Sequence, residues 1–278
     1  MVESIKELRT ICQSIDLEKG KLPLSVRSAR KVSIYFTKLL LYTNITGNQT
    51  TLLFILIGIF AGFFFTFGDA LLTLGGAVLL QLWFIFDHVD GEVARYRKAA
   101  SITGAYLDFF SHCVVHPYFF VCVTFGIYRI FQDATVFVFG FLASISILLV
   151  DAVDDSMYRA VFMERSRSKN QPVELQTENP EVFNPNQPAR FSSSPLYGVA
   201  RRIYYFVRVP NILYVLLIAT VLDLVMSPFT INSVKLNWMY LTLSTCSVMA
   251  SLSWMGLVTF YIKHRTADEM YSSLFRSH

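Results

Sequence analysis

Six runs of this chain are long and apolar enough to span a bilayer, for which about 20 residues suffice: residues 50–67, 70–88, 104–128, 134–152, 208–227 and 237–262. Only Gly68 and Asp69 separate the first two, which predicts a tight helical hairpin. One long polar stretch, about 153–207, interrupts the series; it is rich in Asn, Pro, Ser and charge. It reads as a surface loop with local helix at its ends, expected to be partly disordered over ENPEVFNPNQPARFSSSP. The first fifty residues are polar and carry eight Lys or Arg. Within them, SARKVSIYFTKLLLYTNIT mixes basic residues with Ile34, Tyr35, Phe36, Leu39 and Leu40, the pattern of an amphipathic helix lying on the inner leaflet. The expected fold is all-α and integral to the membrane, with six transmembrane helices and an N-terminal interfacial helix. Residues 1–49 form a cytoplasmic segment and 50–278 the six-span membrane domain.

Composition agrees. Of 278 residues, 54% are hydrophobic and 16% charged, against about half and a quarter in an ordinary soluble domain. The first thirty residues are mixed in charge, so no cleavable leader is expected. Cys12, Cys113, Cys122 and Cys246 are scattered without a CxxC pair, which argues against a zinc ribbon or a disulfide framework. With both termini cytoplasmic, the inner segments hold 22 of the 24 Lys and Arg, and only Arg129 and Lys235 fall outside. That asymmetry is the positive-inside pattern, so the net charge of +4 reports topology and not a nucleic-acid partner. The short loops favour a plasma membrane over the endoplasmic reticulum. The same orientation discounts Asn44 and Asn48 as glycosylation acceptors.

Chemistry is concentrated in DHVDGEVARYRKAASITGAYLDFFSH, from Asp87 to His112, at the cytoplasmic ends of the second and third spans. Asp87 and Asp90 are i and i+3, and Gly91 and Ala94 continue that helical face. Gly104, Asp108 and His112 follow at i, i+4 and i+8 on the next helix. Two helices that each offer a pair of ligand side chains can hold divalent metal between them. Carboxylates at the edge of a hydrocarbon layer are costly, so such a cluster is a functional-site candidate by default.

These residues resemble the signature of the CDP-alcohol phosphotransferase family: Asp, two residues, Asp-Gly, two residues, Ala-Arg, eight or nine residues, Gly, three residues, Asp, three residues, Asp. Asp87, Asp90, Gly91, Ala94, Arg95, Gly104 and Asp108 match seven of its eight fixed positions, and His112 stands at the last. A six-span architecture, an N-terminal juxtamembrane helix and Asn48-x-x-Thr51 opening the first span extend the likeness. The resemblance implies a transferase of lipid biosynthesis that takes a CDP-linked donor and a hydroxyl acceptor and releases CMP. It implies Mg²⁺ or Mn²⁺, two ions in number, held by Asp87, Asp90, Asp108 and His112. Asp90, Gly91, Ala94, Arg95 and Gly104 become the CDP-binding face, with Asp108 and His112 catalytic. It also implies a homodimer.

His112 breaks the pattern, and three readings of it stay open: a working ligand or general base, a bystander in an active enzyme, or the mark of a catalytically dead homologue. His116, one turn on, either supports His112 or is a packing residue before Pro117; His88 is expected to be peripheral. Arg201, Arg202 and Arg208 suit either phosphate binding or positive-inside charge. Asp151, Asp154 and Asp155 read best as a solvated helix end near Arg159, and Asp223 as a cavity residue or an outer-interface residue. A membrane prenyltransferase is the rival enzyme; its acidic motifs usually form two separated sets, and the Asp-Gly-x-x-Ala-Arg core argues against it.

Overall fold

The computed structural model describes residues 2–18, 24–167, 204, 206–226, 228–231 and 234–275. Most of the 153–207 stretch, with Arg201 and Arg202, and the side chain of Asp154 lie outside the described residues. The described helices are α1 (Ile5–Glu18), α2 (Leu24–Leu41), α3 (Gly47–Phe65), α4 (Ala70–Tyr96), α5 (Ile102–Phe131), α6 (Val136–Arg167), α7 (Val209–Val225), α8 (Trp238–Lys263) and α9 (Thr266–Phe275). A two-stranded antiparallel hairpin, β1 (Phe229–Ile231) with β2 (Val234–Leu236), joins α7 to α8; Thr230 pairs with Lys235. Helices α3, α4, α5, α6 and α8 are long and apolar enough to cross a membrane, and α7 is a shorter apolar helix of 17 residues. The chain is an integral membrane protein of helical architecture.

Side-chain caps begin the helices where the apolar runs begin. Thr46 and Gln49 form a capping box on α3, and the Asp69 carboxylate accepts from the Leu71 and Leu72 amides at 3.0 Å on α4. Ser101 accepts from the Gly104 amide at 3.0 Å on α5, and Asn237 accepts from the Tyr240 amide at 2.8 Å on α8. The expected α3–α4 hairpin is present, with Gly68 at φ +68°. The turn packs hard against α5: a Cβ at Gly126 would lie 2.1 Å from the Phe65 carbonyl oxygen.

Helix α4 runs past the expected end at residue 88 to Tyr96, and α6 past 152 to Arg167. Apolarity marks where lipid ends, whereas the backbone ladder continues as long as no residue breaks it. The polar motif is therefore helical throughout, and α4 delivers Asp87, Asp90 and Ala94 on one continuous surface. Two short helices, α1 and α9, and the β1–β2 hairpin are additions to the elements read from the sequence.

The expected interfacial helix is α2. Ser25, Ala29, Ser33 and Thr37, at i, i+4, i+8 and i+12, form a buried strip of small side chains. Arg27, Lys31, Val32, Tyr35, Leu39 and Tyr42 are exposed, so basic and apolar groups share the open side, as attachment to an anionic leaflet requires. Helix α1 closes over α2 through a small core of Leu8, Cys12 and Ile34. The main core is aromatic, with Trp83, Phe54, Phe65, Phe119 and Phe120 almost wholly buried.

Candidate metal centre

The 97–101 turn reverses the chain from α4 into α5, and both helices pack on α3, so the last turns of α4 and the first turns of α5 lie at the same end of the bundle. Asp87, Asp108 and His112 each offer a ligand atom, and these atoms lie within 4.8 Å of one another. His112 Nε2 is 3.1 Å from Asp87 Oδ1 and 3.5 Å from Asp108 Oδ1. The Asp108 side chain is 45% exposed, yet its Oδ1 is buried without a hydrogen-bond partner. Two carboxylates and an imidazole nitrogen thus converge on one space, and an orphaned carboxylate oxygen faces it. That donor set fits a divalent cation of the Mg²⁺ or Mn²⁺ kind.

Asp90 stands one turn along α4, outside this group of three. Thr51 Oγ1 donates to Asp90 Oδ2 at 2.7 Å, and the Gly91 amide reaches Asp90 Oδ1 at 2.5 Å. Gly91 has the Arg95 guanidinium over it, 3.1 Å from where a Cβ would be. Arg95 Nε donates to the Cys12 carbonyl at 2.7 Å, which ties α4 to α1. Ala94 packs against the start of α3, where a Cβ at Gly47 would lie 3.0 Å from the Ala94 Cβ. Gly104 opens α5 beside Asn48, whose Oδ1 would be 3.0 Å from an added Cβ. Asn48 and Thr51 therefore bring α3 to the same site.

A second layer lies behind His112. His112 Nδ1 is 3.2 Å from His116 Nε2, and His116 Nδ1 is 3.2 Å from Asp151 Oδ2 on α6. Trp83 wedges against both imidazoles, with ring centroids 5.5 Å away at interplanar angles of 87° and 77°. The reading of Asp151 as a solvated helix end gives way here, because its carboxylate is engaged by a buried histidine. His88 sits beside Asp87, Nδ1 to Oδ2 at 3.6 Å, and stacks edge-on against Phe84.

Glu92 is invisible to motif reading, being one of the two residues between Asp-Gly and Ala-Arg. It is wholly buried and accepts from Gln13 Nε2 at 2.7 Å, Ser33 Oγ at 2.6 Å and Thr37 Oγ1 at 2.5 Å. With Arg95, and with Tyr96 donating to Glu3, it fixes α1 and α2 on the flank of α4. Its place on α4 between Val89 and Val93, both buried, was the available signal. Asp223 serves the fold, as its two oxygens accept from the Trp238 amide at 2.6 Å and the Met239 amide at 3.0 Å, at the start of α8.

Residues 44–169, which contain every residue of the cluster, match the CDP-alcohol phosphatidyltransferase family. A curated relative, the bifunctional IPC transferase and DIPP synthase of Aquifex aeolicus (strain VF5), is 39% identical over 79 residues, which is 28% of this chain. That match spans only 17% of the relative's length. The fold is similar to Mycobacterium tuberculosis phosphatidylinositol phosphate synthase solved with CDP-DAG bound, with TM-score 0.55, 14% identity, and coverage of 82% of this chain and 92% of that one. The same synthase solved with manganese and citrate gives TM-score 0.53 and 15% identity, over 82% of this chain and 88% of that one. Residues 44–169, a little under half of the chain, thus carry the match to the CDP-alcohol phosphatidyltransferase family, with the seven signature positions inside them.

Proposed function

We propose that the protein is a six-span membrane transferase that moves a phosphoryl-linked alcohol or phosphatidyl group from a CDP-linked donor to a hydroxyl acceptor. The observation that carries this reading is the convergence of Asp87, Asp108 and His112 between α4 and α5, inside the segment that matches the family. These three residues would hold one divalent cation, and Asp90 would contribute to a second. When bound, such ions supply positive charge against the pyrophosphate and the leaving oxygen.

The chain's own groups account for the rest. Gly91 and Gly104 keep the facing helices free of Cβ atoms, so the nucleotide approaches backbone. Asp108 is the more exposed of the two carboxylates and would accept the acceptor's hydroxyl proton. The acceptor oxygen then bonds to the phosphorus attached to the lipid or alcohol, the bond from that phosphorus to the bridging oxygen breaks, and CMP leaves. His112 acts as a ligand in this scheme, which makes it a working replacement for the family's carboxylate. The CDP-DAG-bound synthase of similar fold supports a CDP-lipid as the first donor to try. Inward-facing termini, a plasma-membrane setting and a homodimer complete the proposal.

The test is CMP release by purified protein in detergent with Mn²⁺ or Mg²⁺, CDP-diacylglycerol and a panel of hydroxyl acceptors. Acceptor-dependent CMP is the expected result. Failure with CDP-diacylglycerol and with every CDP-alcohol tried, from protein that still binds metal, would refute it and favour a dead homologue.

A further inference from the structure

We infer that His116 and Asp151 are positioning residues that hold His112 with its Nε2 lone pair turned into the metal centre; this rests on the metal-binding reading above. The pairing of donors with acceptors along the line gives this orientation once a metal occupies the centre. An ionised Asp151 only accepts, so His116 Nδ1 carries a proton toward it across 3.2 Å. A neutral His116 then has a bare Nε2, which accepts from His112 Nδ1 across 3.2 Å. His112 Nδ1 is thereby the protonated nitrogen, and its Nε2 is left as an electron-pair donor. That nitrogen faces Asp87 Oδ1 at 3.1 Å and Asp108 Oδ1 at 3.5 Å. Three electron-pair donors in contact repel one another unless a cation lies between them or a proton sits on Nε2, and a bound metal takes that proton's place.

The surroundings fix the line. His116 is buried, with its side chain only 6% exposed, and Trp83 presses on both imidazoles, so neither ring turns freely. Asp151 comes from α6, so the line joins α4, α5 and α6 at one point. A carboxylate at His112's position would need no such support, because either of its oxygens can ligate. An imidazole must be shown the right way round, and ligating histidines are oriented in this manner by a carboxylate behind them. Here a second histidine spans the distance between them.

Mn²⁺ bound to purified full-length protein labelled with ¹⁵N-histidine is the probe, read by pulsed electron paramagnetic resonance and by titration. Wild type should show coupling to a directly bound histidine nitrogen, and His112→Asp should lose it while still binding Mn²⁺. His116→Phe keeps the ring against Trp83 and removes the link; Asp151→Asn removes the charge. Each should weaken Mn²⁺ binding by about 10- to 100-fold and alter or abolish the nitrogen coupling. Asp151→Glu, which keeps the anion, should recover part of the affinity. Unchanged affinity and unchanged coupling in both His116→Phe and Asp151→Asn would overturn the inference. So would wild-type Mn²⁺ binding without any histidine nitrogen, even if CMP release continues and the transferase reading survives. Wild type that binds no Mn²⁺ and releases no CMP would sink both.

Discussion

Replacing Glu92 with leucine should release the N-terminal helices from α4 while leaving the membrane core intact. The carboxylate takes three hydrogen bonds, from Gln13, Ser33 and Thr37, at 2.5 to 2.7 Å. Bonds to a charged group contribute about 1.5–3 kcal/mol each. Two of the donors have a second acceptor, since Gln13 Nε2 also reaches the Arg30 carbonyl at 2.9 Å and Ser33 Oγ reaches it at 3.4 Å. The loss is therefore nearer about 3 kcal/mol than the full value of three bonds, which raises the undocked population about 100-fold. Glu92→Gln keeps one acceptor oxygen and the side-chain volume, and should cost about 1–2 kcal/mol.

Cys12 reports the docking directly, because it is buried in the α1–α2 core. Maleimide labelling of Cys12, in a Cys113→Ser background with the buried Cys122 and Cys246 as internal controls, reads the open population when reclosing outpaces labelling. Burial, with the nearby Glu92 carboxylate, pushes the Cys12 thiol up to about 11. The docked state thus holds the thiol proton more tightly than the open state, whose thiol titrates near about 8.5. This contribution to docking is fully present below about 8.5 and is lost as pH rises toward 11, so the assay belongs near pH 7. A Cys12 rate within about twofold of wild type in Glu92→Leu would refute the assignment of this carboxylate as the anchor, since about 1.4 kcal/mol already gives a tenfold change.

Three further outcomes are expected. Asp108→Asn removes one of the three converging ligands and should reduce CMP release at least about 100-fold, as loss of a group acting in the transition state does; near-wild-type turnover would exclude Asp108 from the chemistry. His112→Asp restores an all-oxygen donor set and should shift metal preference from Mn²⁺ toward Mg²⁺ in a competition titration, because imidazole nitrogen favours the softer ion. Gly126→Ala places a methyl group 2.1 Å from the Phe65 carbonyl oxygen, which forces α5 away from the α3–α4 turn; about 1–3 kcal/mol of stability should be lost, seen as a lower melting temperature in detergent.

The candidates for the cluster were legible from spacing. Asp87 and Asp90 on one face and Gly104, Asp108 and His112 on the next follow from helical periodicity, and charges at the edge of lipid are too costly to keep without a function. The hairpin at Gly68-Asp69 was legible for the same kind of local reason, a residue free to adopt positive φ followed by a strong cap. Helix α1 was missed although Ile5, Leu8 and Cys12 recur at helical spacing, because it is too polar to read as a span and its docking depends on Glu92, some 80 residues away in the chain.

What the sequence determined by itself is the set of long apolar helices and the identity of the ligand candidates, since both rest on short-range pattern: apolar length, capping residues and i, i+3 or i+4 spacing. The tertiary structure alone decided which of those residues meet. His116 and Asp151 are 35 positions apart and come together only because α5 and α6 pack antiparallel. Asp90 is drawn to Thr51 across 39 positions by the packing of α3 on α4. Contact between distant residues is a property of how helices pack, and side-chain volume and shape across the whole core set that packing; a local window of sequence does not contain it.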